Sequence, residues 1–464
     1  MTKKYKTSLF IFRRDLRIQD NLSLHACLQD SDHVVPLFVF NDSQISEDKN
    51  EYFSESAFQF MLESLTDLQE RFKEQGGILF FENGKIADVI KRAHEEYKIN
   101  AIYLGEDYTP FSVARDKHIR EVCLGLNIDF HQKHDLILTN PRDIRTGGGT
   151  PYKVFTPFKN TAKREIPVPK PITVDGGGQW IKTPVSFCVD HKDLLDVREV
   201  LDIPFLGGRT SGLDQMNHIG NLANYNEDRN FPSKKGTTKL SPHLKFGTIS
   251  VREVYHCVKK KYGSEHTIIT ELYWRDFYAH LSFHFPYVFG NAFKEQYSAI
   301  PWDNRQDWFD AWCKGETGFP IVDAGMRELN ETGWMHNRVR MVVASFLVKD
   351  LHIDWRWGEK YFANKLVDYD PATNNGSWQW AASTGADAQP YFRIFNPWSQ
   401  QLKFDKDCIY IKEWIPELRG LSAREIHKLG ETPLLIPDGY VRTIVDHRSQ
   451  AERAKEMFKM VVKK

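Results

Sequence analysis

NETGWMHNRVRMVVASFLVKDLHIDWRWGEKYFANKLVDYDPATNNGSWQWAASTGADAQPYFRIFN spans Asn330–Asn396, and its reading governs the rest of the chain. Acids (Asp368, Asp370), amides (Asn337, Asn374, Asn375) and arginines (Arg338, Arg340, Arg393) stand among apolar helix formers. The same stretch holds Trp334, Trp355, Trp357, Trp378 and Trp380. Burying such polar groups is costly unless each is paired. A large, polar, aromatic cofactor supplies the pairing, so the stretch predicts helices built around one.

The 464 residues allow two or three domains with a sizeable core. Lys plus Arg and Asp plus Glu number 62 each, so no global field draws the protein to nucleic acid or membrane. DNA binding would have to rest on a local basic patch. Eleven of the twelve tryptophans fall between Trp274 and Trp414, which assigns the aromatic chemistry to the C-terminal half. Six cysteines (Cys27, Cys123, Cys188, Cys257, Cys313, Cys408) form no CxxC, which argues against a disulfide framework and against a zinc site, and no metal is expected. MTKKYKTSLFIF runs straight into a strand with no signal-peptide or transmembrane run. A soluble cytoplasmic monomer, or a nuclear one in a eukaryote, is the expectation, with no membrane partner.

Strand and helix alternate over residues 7–130. Leu9–Phe12, Val34–Phe40, Ile78–Phe81 and Ile102–Leu104 suit strands buried on both faces. Helical stretches lie near Asn21–Leu28, Ser54–Lys73, Ile86–Tyr97 and Pro110–Gly125, so the pattern predicts a doubly wound parallel sheet. No GxGxxG follows the first strand. Ligands in such sheets favour the carboxyl ends of strands, here the loops Phe40–Asp42 and Gly105–Tyr108. The charged run FRRDLRIQDN, Phe12–Asn21, taken alone reads as a solvated loop. Pro167, Pro169, Pro171 and Gly176–Gly178 mark a long connection without chemistry of its own. The organisation expected is an α/β domain over 1–130, a connection over 131–205 and an all-α domain over 206–464.

In GTTKLSPHLKFG, Gly236–Gly247, the hydroxyls of Thr237, Thr238 and Ser241, with Lys239, open a short helix. That suits a diphosphate, although taken alone the residues read more readily as a plain N-cap. Glu271, Trp274, Arg275 and Tyr278 fall at helical spacing and share roughly one face.

GWMHNRVRM (Gly333–Met341), NNGSWQWAASTG (Asn374–Gly385), YFRIFNP (Tyr391–Pro397) and ELYWRDFYAHL (Glu271–Leu281) resemble the flavin-binding domain of the cryptochrome/photolyase family. The likeness is to its class I, bacterial-type branch that repairs cyclobutane pyrimidine dimers. It runs from about Phe10 to Trp414 and is strongest after Asn221.

The resemblance implies FAD, contacted by Tyr225, Thr237, Thr238, Lys239, Leu240, Ser241, Glu271, Arg275, Asn337, Arg340, Asp368, Asp370 and Asn374. It implies that Arg13, Asp15 and Arg17 fix domain contacts, and that Asn374 faces the redox-active flavin nitrogen. A second, light-harvesting chromophore belongs to the α/β domain of the family. EDYTPF, Glu106–Phe111, occupies that loop and leaves folate, deazaflavin, flavin and no ligand all open.

The substrate implied is DNA containing pyrimidine dimers. Glu271 would hydrogen-bond the damaged bases, and Trp274 and Trp380 would stack on the flipped-out lesion. Arg229, Lys234, Lys235, Arg275, Arg338, Arg393 and Lys403 would hold phosphates. Asn337 and Met341 stand where relatives that repair pyrimidine–pyrimidone products carry histidines, which points to cyclobutane dimers. His336 reads as a packed, hydrogen-bonded histidine. Trp378, Trp355 and Trp302 match the family's electron-hopping chain, although any one of them alone reads as core. The alternative within the fold is a blue-light photoreceptor without repair activity; Asn374 and the short tail, with its helix at Ser449–Val462, argue for repair.

Overall fold

The computed structural model describes residues 3–182 and 201–462. Five parallel strands form one sheet: β1 Tyr5–Phe12, β2 Ser31–Phe40, β3 Phe80–Asn83, β4 Ala101–Gly105 and β5 Asp129–Lys133, in the order β3-β2-β1-β4-β5. Leu9, Ile11, Val35, Leu37, Ile102 and Leu104 bury the sheet against its helices. Three helix starts follow from side-chain caps. Asn21 accepts from Leu24 N, Ser54 from Ala57 N, and Thr109 from Ser112 N with Pro110 in the first turn. The helices Ile86–Tyr97 and Pro110–Gly125 lie where periodicity predicts them. Strand β3 begins two residues later than the expected Ile78. β5 was not expected, because DFHQK is a half-exposed, polar edge strand with no apolar run.

The chain forms two compact units. The first contains the sheet and comprises Met1–Leu201, Phe205–Asn221 and Thr238–Pro286. The second comprises Asp202–Pro204, Leu222–Thr237 and Tyr287–Lys464. These units do not follow the linear division at 130 and 205 expected from the strand–helix alternation and the Pro- and Gly-rich connection. The helices Val251–Tyr262 and Thr267–His284 belong with the sheet. The expected connection carries the last three residues of β5 and the helix Phe155–Glu165, while its residues 183–200 lie outside the described residues.

A buried ion network draws the later helices into the first unit. Within Phe12–Asn21, Asp15, Arg17, Asp20 and Asn21 are buried rather than solvated. Arg17 and Arg252 each reach Asp135 at 2.5 Å, Arg252 meets Asp20 at 3.1 Å, and Arg17 donates to Gly247 O at 3.0 Å. Arg13 pairs with Asp116 at 2.6 Å. The solvated-loop reading fails because these partners lie a hundred or more residues away in sequence, where no local pattern reveals them.

The second unit is helical. Pro320–Thr332, Asn337–Lys349, Trp355–Lys365 and Pro371–Ala381 enclose a core that includes Val339, Val343, Phe346, Leu347 and Trp378. The last helix, His447–Val462, starts two residues before the expected Ser449 and buries Met457, Phe458 and Val461. Lys463 and Lys464 lie outside the described residues. Among the described residues no helix is long and apolar enough to cross a membrane.

Candidate functional site

In the first unit, the helix Thr267–His284 buries Leu272, Tyr273, Asp276, Phe277 and His280, and leaves Glu271, Trp274, Arg275 and Tyr278 half-buried on one face. Asp276 sets that presentation. Its carboxylate accepts from Leu138 N at 3.1 Å, Thr139 N at 2.8 Å and Thr139 Oγ1 at 2.7 Å, tying the helix to the segment after β5. Burial pushes the Asp276 carboxyl up to about 7. Arg275, expected to touch flavin and DNA, donates to Leu136 O at 2.6 Å and Leu244 O at 3.0 Å. Those donors are spent on backbone, so much of its guanidinium is a structural pin. Trp274 lies against Phe155 with ring centroids 3.6 Å apart.

The loop before the short helix Ser241–Phe246 holds Lys239 at a positive φ of 49°, and buries Leu240. Leu240 can therefore offer a ligand its backbone rather than its side chain. Thr238 is half-buried, Ser241 is exposed, and Lys239 Nζ lies 5.9 Å over the Phe205 ring. Gly105, Glu106 and Asp107 line a cavity with Arg13, Arg14, Asp15 and Arg17 on one part and Leu136, Leu244, Ile249 and Val251 on the rest. It sits at the carboxyl ends of β1 and β4, where the strand order reverses, as the sheet rule predicts.

In the second unit, His336 caps the helix Asn337–Lys349, its Nδ1 accepting from Arg338 N at 3.2 Å, and it is 2% exposed. That is the packed histidine expected. One turn of this helix brings Asn337 Nδ2 within 3.9 Å of Met341 Sδ. Arg338 donates to Asn230 Oδ1 at 2.6 Å and stacks 4.3 Å over Phe404. Burial and the Arg229 charge hold its guanidinium below the ordinary arginine value. Arg229 lies 5.6 Å over the buried Tyr225 ring. Lys234 pairs with Asp228, whereas Lys235, Arg393 and Lys403 are exposed.

Arg340 and Asp368 form the expected pair, two nearly parallel bonds of 3.2 and 2.9 Å, with Arg340 Nε on Met335 O. Asp370 caps the helix Pro371–Ala381 by accepting from Thr373 N. Thr237 is half-buried. Asn374 is 8% exposed and its Nδ2 donates to Glu359 O at 3.0 Å. What it offers a ligand is thus its carbonyl oxygen, an acceptor for a ring N–H. Beside it, burial raises the Glu359 carboxyl to about 7.

Trp378 and Trp355 are each 2% exposed, Trp302 is half-buried and Trp380 is half-buried. Trp378 meets Phe362 edge-on at 5.0 Å and Trp312 at 6.2 Å, and Trp302 meets Phe458 at 6.0 Å. A Cβ on Gly358 would stand 2.2 Å from the Trp378 ring, so glycine there lets the indole seat.

Sequence reasoning missed Phe155, Asp276, Asn230, Glu359 and Trp312. An acid on the buried side of an amphipathic helix was a readable signal for Asp276; nothing local marks the others. Among the described residues no group of three or more His, Cys, Asp and Glu is placed to hold a metal.

Residues 8–174 match the family described as DNA photolyase, and residues 268–460 match the FAD binding domain of DNA photolyase. A deoxyribodipyrimidine photo-lyase of Halobacterium salinarum is 36% identical, over 97% of this chain and 98% of that protein. The crystal structure of an archaeal photolyase from Sulfolobus tokodaii, with two FAD molecules, superposes with a TM-score of 0.88 at 40% identity, covering 98% of this chain and 100% of that one. A bacterial class III photolyase from Agrobacterium tumefaciens gives 0.91 at 33% identity, covering 100% and 99%.

Proposed function

This chain belongs to the cryptochrome/photolyase family, and on that premise we infer that it is a deoxyribodipyrimidine photo-lyase, splitting cyclobutane pyrimidine dimers in DNA. The observation that carries the reading is likeness along the whole chain to photo-lyases. The geometry agrees with it. The donor set of the second unit suits FAD: a planar cation paired with Asp368, and the Asn374 carbonyl turned into a fixed acceptor.

The chemistry supplied by the bound flavin is light-driven, reversible electron donation. The protein supplies orientation and electrostatics. Arg340, held by Asp368 and Met335 O, keeps one charge in one place; Asp370 and Tyr225 would add polar and aromatic contacts; Asn374 Oδ1 would accept a hydrogen bond from a ring N–H. Thr237, Thr238, Lys239, Leu240 and Ser241 bind the diphosphate through hydroxyls, backbone and charge. Glu271 accepts hydrogen bonds from the lesion, and Trp274 stacks on it. Each stacked base contributes about 1–3 kcal/mol, against a few kcal/mol to extrude the damaged step.

Asn337 touching Met341 supports the dimer substrate. An amide and a thioether are poor proton donors, and ring splitting requires the electron back more than an acid. Arg229, Lys235, Arg338, Arg393 and Lys403 hold the phosphates. Trp378, Trp355 and Trp302, from buried to half-buried, relay electrons towards the surface.

Blue-light-dependent loss of dimers from irradiated oligothymidylate, by purified protein with its flavin reduced, is the expected result. A photoreceptor of the same fold would leave the dimers intact, and that outcome would refute the reading. An absorption spectrum of the same preparation distinguishes folate, deazaflavin, a second flavin and no second chromophore.

A further inference from the structure

Trp274 has one face covered. Its ring lies 3.6 Å from the Phe155 ring, centroid to centroid, at an interplanar angle of 8°. A free aromatic pair prefers an offset or edge-on arrangement to an eclipsed sandwich, so the surroundings impose this one. Phe155 opens the helix Phe155–Glu165 and is 5% exposed, with the fully buried Phe277 edge-on at 5.8 Å and 70°. Phe158, three residues on, packs on Phe277 at 5.4 Å. Phe155 is therefore wedged in the core, whereas Trp274 is half-buried. Phe277 at 77° and Tyr278 at 33° flank the indole, and among the described residues no second ring lies parallel to it.

We propose that Phe155 is a positioning residue for the lesion: a fixed stand that holds the Trp274 indole in the orientation whose opposite face stacks on a flipped-out pyrimidine. The proposal rests on the reading of Trp274 as a substrate-stacking wall. With the stand in place, the two side-chain torsions of Trp274 are frozen before DNA arrives. Without it they must be frozen on binding, and immobilising one such side chain weakens association about two- to tenfold. The effect falls on affinity, because Phe155 backs the indole and touches no reacting atom.

The test titrates holoprotein in the dark with UV-irradiated and unirradiated oligothymidylate, comparing Phe155→Leu, Phe155→Tyr and Trp274→Leu. Repair is then followed at saturating and at low DNA. Phe155→Leu is expected to raise the Kd for irradiated DNA about two- to tenfold and to raise KM equally, while kcat and the weak affinity for undamaged DNA stay put. Phe155→Tyr is expected to bind within about twofold of the parent. Parental binding by Phe155→Leu together with impaired Trp274→Leu would overturn the proposal and leave the stacking reading standing. Parental binding by Trp274→Leu would remove the stacking reading and the proposal with it. Equal loss for damaged and undamaged DNA, or no rescue by tyrosine, would mark a purely structural role and overturn it as well.

Discussion

Asp276→Asn tests whether the helix that presents Glu271 and Trp274 is held by a buried acid. Asp276 is fully buried, and burial raises its carboxyl from 3.8 to about 7. A raised folded-state value means the folded chain holds the proton more tightly than the unfolded chain. The stabilisation is complete below about 3.8 and is lost as pH rises through about 7. Between pH 5 and pH 8 the linkage changes by about two log units, roughly 2–3 kcal/mol. Asparagine cannot titrate, and it turns an amide N–H₂ towards the donors of Leu138 or Thr139, a loss of about 1–3 kcal/mol. The substitution should therefore destabilise the helix at pH 5 and be near neutral or stabilising at pH 8. Native-state hydrogen exchange over Leu136–Asn140 and Thr267–His284, corrected for intrinsic rates, reads the local free energy. A cost that is equal at the two pH values, or larger at pH 8, would refute the assignment.

Phenylalanine at Trp378, Trp355 or Trp302 should slow photoreduction of the oxidised flavin by an added reductant; unchanged rates in all three single variants would dismiss the relay. Gly358→Ala places a Cβ 2.2 Å from the Trp378 ring, an overpacking of about 1–3 kcal/mol against about 1 kcal/mol of helix propensity gained. Slower photoreduction with a somewhat lower thermal midpoint is expected, and full parental behaviour would contradict the packing. Asp368→Asn leaves Arg340 without its bidentate partner, so purified protein should carry less than stoichiometric FAD by absorbance. Arg338→Ala and Arg393→Ala should each lower the slope of log K against log salt by about one, measured by anisotropy on irradiated oligonucleotides.

Local chemistry is what the sequence by itself determined. Strands at Leu9–Phe12, Val34–Phe40 and Ile102–Leu104 and the helices Ile86–Tyr97 and Pro110–Gly125 follow from periodicity, which acts over a few residues. The Asn337–Met341 contact and the Glu271–Tyr278 face were legible for the same reason, since one helical turn fixes them. The pairing of Arg340 with Asp368 was visible only through resemblance. Resemblance implied domain contacts for Arg13, Asp15 and Arg17, and tertiary structure alone supplied the partners of this buried network, because Asp116, Asp135 and Arg252 are remote in sequence. It alone placed Phe155 on Trp274 and committed the donors of Arg275 to backbone carbonyls. Burial of a charge depends on partners brought from elsewhere in the chain, and no window of neighbouring residues contains them.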